Sequence, residues 1–111
     1  MRSVLLLAVG LALCVGPAHA ADYTSQVSVQ AAHVYEKNGR ARVVLAVNNH
    51  SGEVLDIVVG CDFLGPGNVK IGSGHGSVSR LPPRHSDTVE VVDEIAQDAE
   101  SARCNVIDAQ K

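Results

Sequence analysis

The stretch VLDIVVGCDFL at residues 54–64 alternates apolar side chains with polar or small ones. The apolar side chains fall on every second residue: Leu55, Ile57, Val59, Cys61 and Phe63. Because successive side chains of a β-strand point to opposite faces, this period of two predicts a strand with one face in a hydrophobic core. Cys61 belongs to the apolar set, so its sulfur is expected to point inward.

The same period recurs on both sides of this stretch. It predicts strands over residues 27–31 and 41–49 before it, and over residues 88–92 and 102–107 after it. The sequence therefore predicts a succession of short strands, and it contains no internal repeat.

The connection Lys37-Asn38-Gly39-Arg40 contains the dipeptide Asn-Gly. Asn and Gly accept the positive φ angles of a type I′ turn, which makes this dipeptide the strongest short signal for a β-hairpin. We therefore expect the segment around residues 33–36 to pair antiparallel with residues 40–44.

The chain between the strands at residues 54–64 and 88–92 is less regular. The sequence predicts a turn at residues 65–68, a short strand at 69–71 and a flexible loop at Gly72–Gly76, with a short edge strand near 77–79. Two prolines, Pro82 and Pro83, predict an extended connector there, because proline cannot donate to a strand ladder. The acidic, Ala-rich residues 93–101 predict a helical turn.

Residues 1–20 have the layout of a cleaved signal peptide. A positive start at Arg2 precedes an apolar run over residues 4–15, a Gly16-Pro17 break and the small-residue site Ala18-His19-Ala20. An uncleaved anchor is the alternative, but the run is shorter than the roughly 20 residues that span a bilayer. The expected mature protein is residues 21–111, one domain in the periplasm or secreted.

Cys61 and Cys104 are the cysteines that remain after cleavage, since Cys14 lies in the leader. In an oxidising compartment this pair predicts a disulfide with one possible connectivity. The chain-entropy model assigns such a bond about 3 to 4.7 kcal/mol. The pair lacks the C-x-x-C spacing of a redox motif.

Six or seven short strands with turns at close intervals and an inward disulfide indicate an all-β protein. An immunoglobulin-like antiparallel β-sandwich is the expected fold, and a small β-barrel is the alternative. The chain has no Trp, so it lacks the tryptophan that packs on the disulfide in antibody domains.

Several stretches of residues 40–107 resemble one family of domains. They are VVLAVNN at residues 43–49, VLDIVV at 54–59, Phe63-Leu64-Gly65 and Leu81-Pro82-Pro83 before residues 88–91. This arrangement resembles the FxLYD-type immunoglobulin-like extracytoplasmic domains of bacteria. The resemblance implies an immunoglobulin-like fold and an accessory or interaction role, and it implies no catalytic residues.

Charge and composition exclude several classes of ligand. The chain carries 9 basic and 12 acidic residues, a net charge of −3, and loss of Arg2 with the leader makes the mature protein more acidic. Nucleic acids and anionic membrane surfaces both require a basic face. Only 3% of the residues are aromatic, which leaves no platform for stacking bases or sugars.

The motifs of enzymes and cofactor sites are absent from the sequence. Gly72-Ser73-Gly74-His75-Gly76 lacks the following helix and the lysine that a phosphate-binding loop needs. No G-x-S-x-G elbow is present, so we expect no enzyme and no cofactor. Histidine is the commonest metal ligand, and a weak copper or zinc site formed by His75, His85 and Asp87 is a second hypothesis.

The preferred function is an exported, non-catalytic binding or accessory domain that contacts another envelope or secreted protein. Exposed loops on a rigid scaffold are where partners bind. The expected contact surface is Gly72, Ser73, Gly74, His75 and Gly76 together with Asp93 and Glu94. A metal-binding protein and an inhibitor of a secreted hydrolase are the alternatives.

Overall fold

The structure is a computed structural model that describes residues 22–95 and 97–111. It contains seven strands: β1 (Val27–Ala31), β2 (Tyr35–Lys37), β3 (Arg40–Asn49), β4 (Leu55–Leu64), β5 (Lys70–Leu81), β6 (Ser86–Val92) and β7 (Ser101–Gln110). Short 3-10 segments occur at Thr24–Gln26 and Pro66–Asn68. The expected signal peptide at residues 1–20 lies outside the described residues. Within the described ranges, no helix has the length and apolar character needed to cross a membrane.

The strands form two antiparallel sheets. In the four-stranded sheet, β3 is central, with β1 and β2 sharing one of its edges and β6 on the other. In the three-stranded sheet, β4 is central, with β5 and β7 on either side. The predicted antiparallel sandwich with one disulfide is confirmed, and the barrel alternative is wrong because the sheets do not close on each other.

The core follows the period of two that the sequence shows. The inward residues of the central strands are at most 3% exposed; they are Ala41, Val43, Leu45 and Val47 of β3 and Leu55, Ile57, Val59, Cys61 and Phe63 of β4. The predicted hairpin is also present, with Asn38 and Gly39 at positive φ between β2 and β3. Burial of each large apolar side chain contributes about 1.5–3 kcal/mol, so these two strands supply most of the core.

A buried polar network around Asn49 joins the loops at one end of the sandwich. The Asn49 side-chain amide donates to the carbonyl oxygens of Glu53, Leu81 and Pro82 at 2.8, 3.0 and 3.2 Å. Its oxygen accepts from the backbone N–H and the hydroxyl of Ser51. Because the amide group is hydrogen-bonded on both sides, its burial does not leave an unpaired polar atom.

The disulfide between Cys61 and Cys104 joins neighbouring strands within one sheet. The two residues are opposite each other in the β4–β7 register, with a Cα–Cα distance of 4.0 Å. The bond therefore does not bridge the two sheets. It differs in this from the disulfide of antibody domains, which joins one sheet to the other. Cys61 belongs to the core, and Cys104 is partly buried against it, so the sulfurs face inward as predicted.

Replacing both cysteines with alanine is expected to lower the free energy of unfolding by about 3 to 4.7 kcal/mol, because the bond closes a long chain segment. The sequence separation of the cysteines is 43 residues. Urea denaturation of the oxidised protein and of the Cys61→Ala/Cys104→Ala variant measures the difference. Equal unfolding midpoints would contradict a stabilising role for this bond.

The predicted flexible loop at Gly72–Gly76 is wrong, because these residues lie inside the continuous strand β5. Gly72, Gly74 and Gly76 all face inward, where β6 and the residues that follow it pack closely. A Cβ atom on Gly74 would lie 2.2 Å from the Val92 carbonyl oxygen, and one on Gly76 would lie 2.8 Å from Val89. The glycines are therefore required for close packing of the sheet edges and not for a mobile loop.

Substitution of Gly74 by valine is expected to destabilise the fold by about 1–3 kcal/mol, because the new side chain overlaps the backbone of β6. Gly52 is the matched control, since its Cβ position is open and Gly52→Ala should leave stability unchanged. Urea unfolding midpoints of the two variants provide the test. A Gly74→Val protein as stable as the Gly52→Ala protein would refute the close approach of β5 and β6.

Candidate functional site

The outer face of the three-stranded sheet carries a shallow cavity of about 200 Å³. Strand register places His75 and Asn105 on either side of Gly60, and Ser73 and Arg103 on either side of Asp62. These two rows, with Lys70 and Ile107, line the cavity. We call this feature the Gly60 depression.

The floor of the depression is a glycine because a neighbouring side chain covers it. A Cβ atom on Gly60 would lie 2.5 Å from Cδ1 of Ile107. Ile107 is the extra residue of a β-bulge in β7, since Val59 pairs with Val106 and Val58 pairs with Asp108. Alternation from Asn105 places the Ile107 side chain on the outer face, and the bulge brings Asp108 to that face as well.

The charges around the depression are paired only loosely. Asp62 lies 3.3 Å from Lys70 Nζ and 3.9 Å from an Arg103 nitrogen, and His75 Nδ1 lies 3.7 Å from Glu94. All of these side chains are more than one third exposed, so each pair contributes at most about 1 kcal/mol. The charged groups are therefore free to exchange their partners for those of a ligand.

Two polar side chains at the depression have no hydrogen-bond partner among residues 22–95 and 97–111. They are the Ser73 hydroxyl and the Asn105 amide, which lie on opposite sides of β4. Together with the His75 ring they supply donors and acceptors on a rigid three-stranded surface. This arrangement can bind a polar segment of a ligand.

The structure divides the predicted contact surface between two faces. Ser73 and His75 lie on the outer face, and Glu94 contacts His75 there. Gly72 and Gly74 are buried, and Gly76 is half-buried between β5 and β6. Only the outward residues of the predicted set remain available to a partner, because alternate positions of a strand face opposite ways.

The predicted contact surface includes Asp93, but this residue is 0% exposed. Its carboxylate accepts hydrogen bonds from the Ile95 N–H and the Gln97 amide, each at 3.0 Å, and packs on Gly72. Its carbonyl oxygen accepts from Arg40 at 3.1 Å. The predicted helical turn at 93–101 is also wrong in the described part, because these bonds organise an irregular corner.

The predicted metal ligands lie at opposite ends of β6. His75 contacts Glu94, just beyond the end of β6, while His85 and Asp87 lie at its beginning. Glu94 is seven positions after Asp87 in the sequence, and a strand of that length extends roughly 20 Å. No group of three or more His, Cys, Asp or Glu side chains in the described ranges could hold a metal ion. The His75–His85–Asp87 hypothesis is therefore wrong.

A serine and a histidine form a hydrogen bond on the other sheet, where Ser28 Oγ lies 2.9 Å from His50 Nε2. Asn48 also donates to Ser28 at 3.4 Å and accepts from Ser86. Within the described residues no carboxylate orients the second ring nitrogen of His50. The contact therefore lacks the third member of a catalytic triad and belongs to a surface polar ladder.

Tyr35, Glu90 and Arg42 form a second surface cluster on the four-stranded sheet. The Tyr35 hydroxyl donates to Glu90, and Arg42 lies 3.3 Å from the same carboxylate. The hydrogen bond from Tyr35, assisted by the charge of Arg42, lowers the pKa of Glu90. The same hydrogen bond raises the pKa of Tyr35.

Removal of the Tyr35 hydroxyl should raise the pKa of Glu90, because the hydrogen bond stabilises the ionised carboxylate. In the native protein this contribution to stability is present above the unfolded-state pKa of Glu90, and it is lost as the pH falls through the lower folded-state pKa. Carbon-detected NMR titration of Glu90 in Tyr35→Phe compares the two proteins, with Tyr23→Phe as the control. An unchanged titration curve in Tyr35→Phe would contradict the hydrogen bond.

No protein-family model, curated protein or solved structure matches the chain. The chemistry available to this surface is therefore inferred from its own residues. Sequence reasoning found Ser73 and His75 but missed Asp62, Arg103 and Asn105. The signal for these three was their place at polar positions next to Cys61 and Cys104, since a disulfide between opposed strands brings its neighbours into the same rows.

Proposed function

We propose that the protein is an exported, non-catalytic binding module that contacts another envelope or secreted protein. The cysteine pair supports export, because disulfides persist in oxidising compartments. The layout of residues 1–20 as a signal peptide supports the same compartment. The resemblance to FxLYD-type domains is in keeping with an accessory role.

The Gly60 depression is the observation on which this proposal rests. It combines the Ser73 and Asn105 side chains, which have no hydrogen-bond partner among the described residues, with loosely paired charges on strands that the Cys61–Cys104 bond holds in register. A preformed polar surface binds a partner at a low entropic cost, because its backbone does not need to become ordered. His75, His85 and Asp87 do not lie together in the described residues. The observation that favoured a metal-binding protein therefore no longer applies.

Replacement of two polar groups at the depression should abolish partner capture without unfolding the protein. The test variant is His75→Ala/Asn105→Ala, and the matched control, on the outer face of the other sheet, is Gln30→Ala/Thr88→Ala. A photoreactive amino acid at position 73 in intact cells records the captured protein. We expect a discrete cross-linked species that the test variant loses and the control variant keeps.

Two results would overturn this proposal. One is the absence of a discrete adduct from position 73 in cells that contain the exported protein. The other is equal loss of the adduct in the test and control variants, since a specific site on one face cannot depend equally on both faces. Circular dichroism of each variant shows whether the fold is retained.

A further inference from the structure

Strand β7 lies at the edge of its sheet, with β4 on one side and no strand paired on the other among the described residues. β1 of the other sheet lies alongside β7 but forms no ladder with it. Along residues 101–108, no backbone hydrogen bond joins this outer edge to another described residue. The edge therefore presents unpaired N–H and C=O groups, a template for an additional strand.

The register identifies which backbone groups point outward. A Cα–Cα distance of 4.0 Å marks Cys61 and Cys104 as a pair that exchanges no backbone hydrogen bonds. The N–H and C=O groups of Ala102, Cys104 and Val106 consequently point away from β4. Past the bulge, the Ala109 carbonyl also points outward, since it accepts from the Tyr23 N–H at 2.9 Å.

Residues 101–106 have few of the features that protect natural sheet edges. They contain no proline, no glycine and one charged residue, Arg103. The opposite edge of the same sheet is protected, because β5 carries the inward glycines and its Ser73 carbonyl accepts from the Glu94 N–H. Strand addition is therefore directed to β7.

Apolar side chains flank the free edge on the inner side. Ala102, Cys104 and Val106 are partly buried against the core, as is Val29 of β1 in the facing sheet. Every second side chain of an added strand would lie over these partly buried residues. Apolar residues at those alternate positions would complete the burial.

A second copy of this chain is a poor occupant of the edge. Antiparallel self-pairing centred on Arg103 places two guanidinium groups opposite each other. Self-pairing centred on Cys104 brings Glu100 and Asp108, the acids that flank the segment, together at both ends. Like charges in opposed positions destabilise strand pairs, so these two registers are disfavoured.

We propose that the β7 edge binds an extended segment of the partner protein as an additional antiparallel strand. This inference rests on the proposed binding function and specifies the partner's chemistry. The segment carries apolar residues opposite Ala102, Cys104 and Val106. It carries an acidic residue opposite Arg103, whose side chain is 64% exposed on the outer face.

The test uses the capped peptide VTVEVT, in which the valines align with the three outward positions and the glutamate with Arg103. Amide NMR of the disulfide-bonded protein should show the largest changes at Ala102, Cys104 and Val106. N-methylation of the three valines should weaken binding by about tenfold or more, because their N–H groups face β7. N-methylation of the threonines should have little effect.

A charge exchange tests the role of Arg103 without altering the edge backbone. The Arg103→Glu protein should bind VTVEVT about tenfold more weakly than the native protein. The peptide VTVKVT should recover that loss in the variant and bind the native protein poorly. Equal binding of both peptides to both proteins would overturn the assignment of the acidic position.

The remaining outcomes separate this inference from the proposed function. Absence of amide changes with VTVEVT, while the position 73 adduct still forms, overturns strand addition and leaves the binding function intact. A dimer in sedimentation, together with concentration-dependent changes in the amide NMR signals of Ala102 and Val106, would overturn strand addition by a partner. Such a result would favour a second copy of this chain as the occupant of the edge. Peptide binding without any captured protein supports the edge and contradicts the proposed function.

Discussion

The register of β4 against β7 is the constraint on which the rest of the structure depends. β4 is the central strand of its sheet, and its alternate residues form the core on one face and the Gly60 depression on the other. A slip of one residue would exchange these two faces and bury Asp62 in place of Cys61. The disulfide joins residues that are directly opposite, so once formed it holds β4 and β7 in the register that separates core from surface.

The two sides of the sandwich are completed by different means. On one side, inward glycines of β5 let β6 approach closely, and the Glu94 N–H bonds to the Ser73 carbonyl. On the other side, β1 lies beside β7, and the Tyr23 N–H donates a backbone hydrogen bond to the Ala109 carbonyl. The first side leaves no room for another strand, whereas the second leaves backbone groups of β7 without a partner in the part of the chain that the structure describes. The Gly60 depression and the free edge are next to each other, because both include residues of β7.

Local pattern was sufficient where side chains alternate strongly or a turn has a characteristic dipeptide. The strand at 54–64, the Asn-Gly hairpin and the inward cysteine all followed from residues close in sequence. Local pattern failed at Gly72–Gly76 and Asp93. Glycine is common both in mobile loops and where two backbones touch, and only the position of β6 distinguishes these cases. An aspartate is normally exposed, and Asp93 is buried because Gln97 and the Ile95 N–H bind its carboxylate.

By itself, the sequence determined the fold class, the inward face of each main strand and the cysteine pairing, because these depend on alternation and composition. Only the tertiary structure decided that the disulfide lies within one sheet, that His75 is far from His85 and Asp87, and which residues share the Gly60 depression. These facts depend on which strands are neighbours and in what register. Strand neighbours far apart in sequence are selected by the packing of the whole chain, which no local pattern records.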